Sequence, residues 1–355
     1  MDENRDRSAL IAMSGGVDSS AAAYLTLEAG FRCQGATMRL LRRDGGQDAG
    51  VAEAVCRRLG IPFTVLDLAG EFEEAVIGPF VRAYLAGRTP NPCVDCNRRM
   101  KFARLLEAAD AAGLRFVATG HYARTGRDAA SGRWLLRKAL DAGKDQSYFL
   151  CALTQEQLSR ARFPLGGMEK WQVRELAERL GFANARRRDS QDICFIPGGD
   201  YGSFIEAREP CPAGDFLDRE GRVVGRHRGA VRYTLGQRKG LGLAMGEPVY
   251  VCGKDMAAGT VTVGPESALY AREVLVENPN WIALEGLSGP LRVEAKVRSR
   301  QREQPARITP EADGRVRIVF DQPQRAVTPG QSAVFYDGDL VLGGGVIAEA
   351  FTEGA

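Results

Sequence analysis

Ser14-Gly15-Gly16-Val17-Asp18-Ser19-Ser20 is the first stretch whose residue types and spacing could do chemistry. Two glycines let the backbone approach an anion without a Cβ in the way. The helical pattern that starts here would add unpaired N–H groups and the positive end of a dipole. Ser14, Ser19 and Ser20 bring hydroxyl donors, and Asp18 could serve a magnesium ion on a chain of phosphates. The loop lacks the Gly-Lys-Ser/Thr of a Walker loop and the Gly-x-Gly-x-x-Gly of a dinucleotide fingerprint. A plainer alternative is a tight strand-to-helix turn capped by serine or aspartate.

Two cysteine-bearing segments come next. Asn91-Pro92-Cys93-Val94-Asp95-Cys96-Asn97 reads as a loop leading into a helix over 101–112, and Asp189-Ser190-Gln191-Asp192-Ile193-Cys194-Phe195-Ile196 follows about a hundred residues later. A thiol at a helix start can have a depressed pKa, and the thiolate is the reactive form. Two such cysteines brought together could carry a persulfide and then accept the resulting disulfide. The chain has eight cysteines in all, and the other five (Cys33, Cys56, Cys151, Cys211 and Cys252) sit in apolar or turn settings that suit packing. There are only two histidines, too few for a Ser-His-Asp hydrolase. His121 falls just after a strand pattern, where ligands bind, and His227 sits between arginines, as a phosphate contact or an exposed side chain would.

The elements that must position these groups alternate through the first 120 or so residues. Strands are expected at 9–13, 31–37, 63–67 and 116–119, with helices at 19–29, 48–59, 71–86 and 101–112. Gly30, Gly60 and Gly113 stand just past three of those helices, as C-terminal caps do. Such alternation means a doubly wound parallel sheet with helices on both faces and a ligand at the carboxyl ends of its strands. Two more helices are expected at 154–161 and 169–180. Beyond about residue 200 the texture turns to short strands separated by turns, the mark of small β domains or barrels. Boundaries fall near 196–202 and 268–272, which divides the chain into 1–200, 201–270 and 271–355. Gly343-Gly344-Gly345 reads as a bulge or turn.

No stretch of the 355 residues resembles a signal peptide or membrane span, which points to a cytoplasmic protein in which disulfide scaffolds are not expected. The net charge of +3 announces no nucleic-acid binder, but its distribution is uneven. Residues 219–239 carry seven basic side chains against Glu220, and 292–307 carry six against Glu294 and Glu303. Patches of this kind can neutralise phosphates or simply form solvated surface.

The Ser14–Ser20 loop resembles the pyrophosphate loop of the N-type ATP pyrophosphatases, which have an adenine nucleotide alpha hydrolase-like fold and adenylate a carbonyl-type oxygen. Five further motifs recur in order: the two cysteine segments, Gly120-His121-Tyr122-Ala123-Arg124, Asp145-Gln146-Ser147-Tyr148-Phe149-Leu150, and 233–242, Tyr-Thr-Leu-Gly-Gln-Arg-Lys-Gly-Leu-Gly. Together they resemble the tRNA-specific 2-thiouridylase family (tRNA-uridine 2-sulfurtransferases) along nearly the whole chain.

The resemblance implies two small β-rich domains after the ATP pyrophosphatase domain, the last a β-barrel, both binding tRNA. It implies adenylation of the C2 oxygen of the wobble uridine, position 34, with release of pyrophosphate and then AMP. Cys194 would carry the persulfide and Cys96 would act as nucleophile. ATP contacts would map to Ala12, Met13, Ser14, Gly15, Gly16, Val17, Asp18, Ser19, Met38 and Gly120. Contacts to the tRNA anticodon stem-loop would map to Asn91, Pro92, Cys93, His121, Asp145, Gln146, Ser147, Arg298, Ser299 and Gln331. A cysteine desulfurase or sulfur-relay protein is the implied donor.

One departure matters: well-known members carry Asp where this chain has Cys93. Cys93, Cys96 and Cys194 could then hold a 4Fe-4S cluster with one iron open to hydrosulfide. The alternatives are a persulfide pair with Cys93 as bystander, or a zinc site short of one ligand. Rival readings of the whole chain are a small-molecule ligase with the same ATP chemistry and an RNA-binding protein that holds ATP without catalysis.

Overall fold

The computed structural model describes residues 7–42, 47–187, 192–196 and 198–352. Asp189, Ser190 and Gln191 of the second cysteine segment lie outside them.

β1 (Ser8–Ala12) is apolar and buried because both of its faces are covered. Alternation sends Leu10 to one side, among Leu105, Leu106 and Val117. Ala9 and Ile11 point to the other, among Ala23, Val55 and Ala118. α1 (Val17–Glu28), β2 (Arg32–Arg39), α2 (Gln47–Leu59) and β3 (Phe63–Asp67) follow as the alternation anticipates, and Gly30, Gly60 and Gly113 all take positive φ.

The helix expected over 71–86 is broken into Ala69–Phe72, a π-helical turn at Glu73–Ile77, and Gly78–Leu85. The segment expected to be a loop at 91–97 is helical: α3 (Pro92–Asp95) runs through a π-helix (Cys96–Phe102) into α4 (Ala103–Ala111). Pro92 at the first helical position and Asn91 as cap, its side chain accepting from the Cys93 N–H at 3.2 Å, account for the start. The motif's loop-like composition concealed an N-terminal cap.

β4 (Phe116–Ala118), the hairpin β5 (Arg124–Arg127) and β6 (Trp134–Arg137), and β7 (Ala161–Arg162) come next. The five-stranded parallel sheet has the order β3-β2-β1-β4-β7. Chain connections leave β1 and β4 in opposite directions, so a crevice opens at their carboxyl ends. α5 (Lys170–Arg179) packs against α1 through Val173 and Leu176, which share a core with Ala21 and Ala22.

β8 (Gly214–Leu217), β9 (Val223–His227), β10 (Tyr250–Asp255) and β11 (Thr260–Gly264) make a four-stranded sheet, order β10-β11-β8-β9. His227 is buried here at 4% exposure against Phe216 and Tyr233 rather than offered to a phosphate, and burial lowers its pKa. β12 (Tyr270–Trp281), β13 (Leu291–Lys296), β14 (Gln304–Pro310), β15 (Val316–Arg325), β16 (Ser332–Asp337) and β17 (Leu340–Thr352) form an antiparallel barrel, closed by β12 pairing with β17.

The triple glycine is not a turn but lies where the pairing of β17 with β12 and with β16 shifts register, as at a bulge. It lies inside β17, where a Cβ on Gly343 would meet the Asn280 carbonyl at 2.4 Å and one on Gly344 would meet that of Ala333 at 2.7 Å. Barrel closure thus requires bare backbone there. β6 pairs with β17 through Arg137 and Leu340, so the hairpin fastens the first unit to the barrel's sheet.

Candidate active site

The turn from β1 into α1 is tied down from three sides. The Met13 N–H donates to Ala36 O at 2.8 Å and Thr37 Oγ1 donates to Met13 O at 2.6 Å. Ser19 Oγ donates to Gly16 O at 2.9 Å and accepts from the Ser14 N–H at 3.2 Å. Asn184 Nδ2 donates to both Gly15 O and Ser20 Oγ at 2.9 Å. Gly16 caps the helix with no side-chain bond of its own, and Ser14 is exposed. A bare helix start with hydroxyls around it is an anion cradle.

Gly120 seals the other wall. A Cβ there would meet the backbone of Asp18 and Ser19 at 2.8 Å, so the segment after β4 approaches the start of α1 as closely as glycine allows. Met38 lies on β2 beside this edge, half-buried. Asp18 does not face the cradle as a free carboxylate. Lys170 Nζ donates to its two oxygens at 2.7 and 2.8 Å, and Tyr122 Oη donates to Oδ1 at 2.8 Å. A magnesium ion would have to displace an ammonium, so the donor set does not fit the metal role expected of Asp18.

The thiols gather on the π-helix side of the crevice. Cys96 is buried, whereas Cys93 and Cys194 are exposed to solvent within a crowded recess. Burial raises all three pKa values rather than the helix start depressing them. Cys194 is pushed up to about 11, by burial first and then by the charges of Cys96 and Cys93. The expected depression fails because lost hydration outweighs a short helix's dipole. Against burial stands Lys101, whose charge lowers each of the three.

Lys101 lies five residues after Cys96 in the same π-helix, the spacing that its hydrogen bonds span. His121 feels the same lysine: burial and Lys101 hold its pKa well below 6.5, and the ring is neutral. Its Nδ1 lies 2.8 Å from Thr119 Oγ1, and its ring packs with Phe102 and Phe163 in a three-ring cluster. Thiols, lysine, histidine and anion cradle therefore form one connected site, His121 being the next residue after Gly120.

Among the described residues, no group of three or more His, Cys, Asp or Glu side chains is placed to hold a metal ion. Cys93, Cys96 and Cys194 are neighbours whose charges act on one another, but they are not grouped to hold a single ion such as zinc.

The other expected RNA contacts divide. Asn91 and Pro92 start α3, with Pro92 buried. Asp145 accepts from the Ala139 N–H at 2.9 Å and from Ser147 Oγ at 2.8 Å, and Gln146 Oε1 accepts from the Tyr122 N–H at 2.9 Å. Ser147 is fully buried and its Oγ meets Tyr336 Oη of the barrel at 3.3 Å. These three brace the site internally. Arg298 is half-buried, donating to the Ala326 carbonyl and to Thr328 Oγ1 at 3.1 Å, and Ser299 beside it is also half-buried. Gln331 Nε2 donates to Thr89 O at 2.7 Å, tying the barrel to the segment just before Asn91.

Both basic patches are partly neutralised from within: Arg222, Arg226 and Arg232 pair with carboxylates, as do Arg292 and Lys296.

Lys101, Lys170 and Asn184 belong to the site without having been singled out from sequence. Lys101 had a signal, five places after Cys96, but only π-helical geometry gives it meaning. Lys170 and Asn184 reach the loop from more than 150 residues away and left none.

Three family models match the chain in succession: a tRNA methyl transferase HUP domain at residues 7–198, a tRNA methyl transferase PRC-barrel domain at 202–265, and an aminomethyltransferase beta-barrel domain at 271–347. The chain thus has the architecture of that class of tRNA-directed proteins. The tRNA-specific 2-thiouridylase MnmA of Heliobacterium modesticaldum is 49% identical over 352 residues, covering 95% of this chain and 91% of its own. That of Moorella thermoacetica is 48% identical, covering 95% and 98%. That of Geotalea uraniireducens is 47% identical, covering 98% and 96%. The chain belongs to the tRNA-specific 2-thiouridylase family. A solved 4-thiouridine synthetase–RNA complex with bound ATP aligns at 17% identity and a TM-score of 0.38 over 58% of this chain and 51% of that one, too distant to add to this.

Proposed function

We propose that the protein is a tRNA-uridine 2-sulfurtransferase acting on position 34 of tRNA, with units 1–200 for chemistry and 201–270 and 271–355 for holding RNA. The observation that carries this reading is the single site in which a phosphate cradle at α1 and three thiols on the far wall are joined through Gly120, His121 and Lys101.

In the first step the uridine C2 oxygen attacks the α-phosphorus of ATP and pyrophosphate leaves. The N–H groups at Gly15 to Val17 and the exposed Ser14 hydroxyl hold the phosphates, on a loop that Ser19 braces from beneath. In the second, the terminal sulfur of a Cys194 persulfide attacks C2 and AMP leaves with the former C2 oxygen. The Cys96 thiolate then attacks the inner sulfur of Cys194. The S–S bond to the uridine breaks, 2-thiouridine departs, and a Cys96–Cys194 disulfide remains for an external dithiol to reduce. Lys101 favours the thiolates at both stages, offsetting their burial.

The sulfur comes from a cysteine desulfurase or a relay protein that reloads Cys194. The uridine must leave its stack, which costs little in an anticodon loop. Arg228, Arg238, Lys239, Arg300 and Arg302 are exposed patch residues, and they suit the stem phosphates. Among the described residues no helix is long and apolar enough to cross a membrane, and a cytoplasmic site of action is part of this proposal.

The experiment is to follow conversion of ATP to AMP and pyrophosphate with tRNA, with amino acids or nucleotides in its place, and with no acceptor. Turnover that requires tRNA supports the reading. Equal turnover with a small molecule contradicts it.

A further inference from the structure

The ion pair between Lys170 and Asp18 is unusual for its position. Asp18 is the second residue of α1, inside the first turn of the helix whose N-terminus forms the anion cradle. A carboxylate there satisfies the dipole of an empty helix but repels an incoming polyphosphate. Lys170 reaches it from the first position of α5, with only about a tenth of its side chain exposed against 29% for Asp18. The lysine is itself fixed. Its backbone N–H donates to Asp141 Oδ2 at 2.9 Å, and the Glu169–Gln172 capping box sets the start of its helix. Tyr122, two residues beyond Gly120, supplies the third bond to the carboxylate and places its ring 5.7 Å from the ammonium. Asp18 Oδ1 thus accepts two bonds and Oδ2 one, all from residues outside the loop and its helix.

We infer that Lys170 is a positioning residue for nucleotide binding: it neutralises Asp18 and holds it turned from the cradle, so that the start of α1 meets polyphosphate as a net positive surface. Asp18 then acts through its lysine and not as a metal ligand. This rests on the proposed use of ATP.

The test measures affinity for α,β-methylene-ATP, whose α–β bridge cannot be cleaved, by calorimetry on the full chain without tRNA or sulfur donor, in EDTA and again with magnesium. Lys170→Met leaves the carboxylate uncompensated and should weaken binding at least tenfold in both conditions. Lys170→Met combined with Asp18→Asn should bind at least fivefold tighter than Lys170→Met alone, because the repelling charge is gone. A double variant as weak as Lys170→Met would show the lysine contacting phosphate directly and would overturn the inference.

Asp18→Asn alone decides the matter even if Lys170→Met does not fold. With the negative charge gone from the helix start, it should bind the nucleotide at least threefold tighter, with a steeper dependence on salt. Weaker binding in magnesium with no change in EDTA would make Asp18 a metal ligand and refute the inference. If the wild-type chain binds no nucleotide at all, the ATP reading itself falls, an outcome distinct from either.

Discussion

Replacing Gly120 with alanine probes the closeness of β4 and α1, on which the cradle's shape depends. The added Cβ would lie 2.8 Å from both the Asp18 carbonyl carbon and the Ser19 nitrogen and 3.0 Å from the Asp18 carbonyl oxygen. Those atoms are backbone, in the first turn of a helix locked by Ser19, Thr37 and Asn184. No flexible side chain can yield, so the helix start must retreat by roughly 0.6 Å to reach ordinary contact at 3.4 Å. Overpacking of this kind costs about 1–3 kcal/mol in stability. Displacing a binding constellation by a sizeable fraction of an ångström costs on the order of tenfold in function, scaled from about a hundredfold per ångström.

Thermal unfolding and calorimetric titration with α,β-methylene-ATP read the two effects separately. Gly126→Ala, where a Cβ meets nothing within 4 Å, is the control and should change neither. A Gly120→Ala protein with unaltered melting temperature and unaltered affinity would refute the reasoning, because the crevice would then have slack that these contacts deny.

Lys101→Met removes the charge that opposes burial at Cys93, Cys96 and Cys194, so their pKa values move further up. Thiolation depends on thiolates, and its rate should climb with pH along a limb shifted to higher pH in the variant, with activity at pH 8 reduced roughly threefold or more. A rate–pH profile identical to the wild type would contradict this. His121 is held neutral, its pKa below the 6.5 of an unfolded histidine. The unfolded chain therefore binds the extra proton first, and this contribution to stability is intact above about pH 6.5 and lost as pH falls through that value toward the folded pKa. Denaturant titrations from pH 7 to 5 should show a decline that His121→Asn flattens.

Much of this arrangement was legible in the sequence, and the failures share a cause. The parallel sheet could be read because β1, β2 and β3 alternate with helices closed by glycine caps, so local pattern and tertiary environment agree. The loop at Ser14–Ser20 was legible for the same reason: every residue needed for an anion cradle is contiguous. Short strands were expected beyond residue 200, but the bounds of β12 and β14 cannot be read from local pattern. Pro279 with Asn278 and Asn280 in the one, and Pro305 and Pro310 in the other, disguise strands whose pairing is set by barrel closure. The hairpin β5–β6 was missed because its partner, β17, lies two hundred residues on.

At the site, Cys93 and Cys96 were found by type, but their electrostatics were misjudged. A helix start signals a low thiol pKa only where water remains, and burial is not visible in a heptapeptide. Asp18 was assigned to a metal because its partner, Lys170, is fixed by packing of α5 on α1 and by no motif.

The measurement that bears most directly on the account is a single-turnover thiolation with a persulfide-loaded enzyme, ATP and unmodified tRNA, followed by mass spectrometry of digested nucleosides and of the cysteine peptides. Wild-type protein should yield 2-thiouridine together with a Cys96–Cys194 disulfide in equal amount. Cys194→Ser should yield neither, and Cys96→Ser should stall with the RNA still joined to Cys194 through sulfur. Undiminished 2-thiouridine from the Cys194→Ser protein would contradict the account.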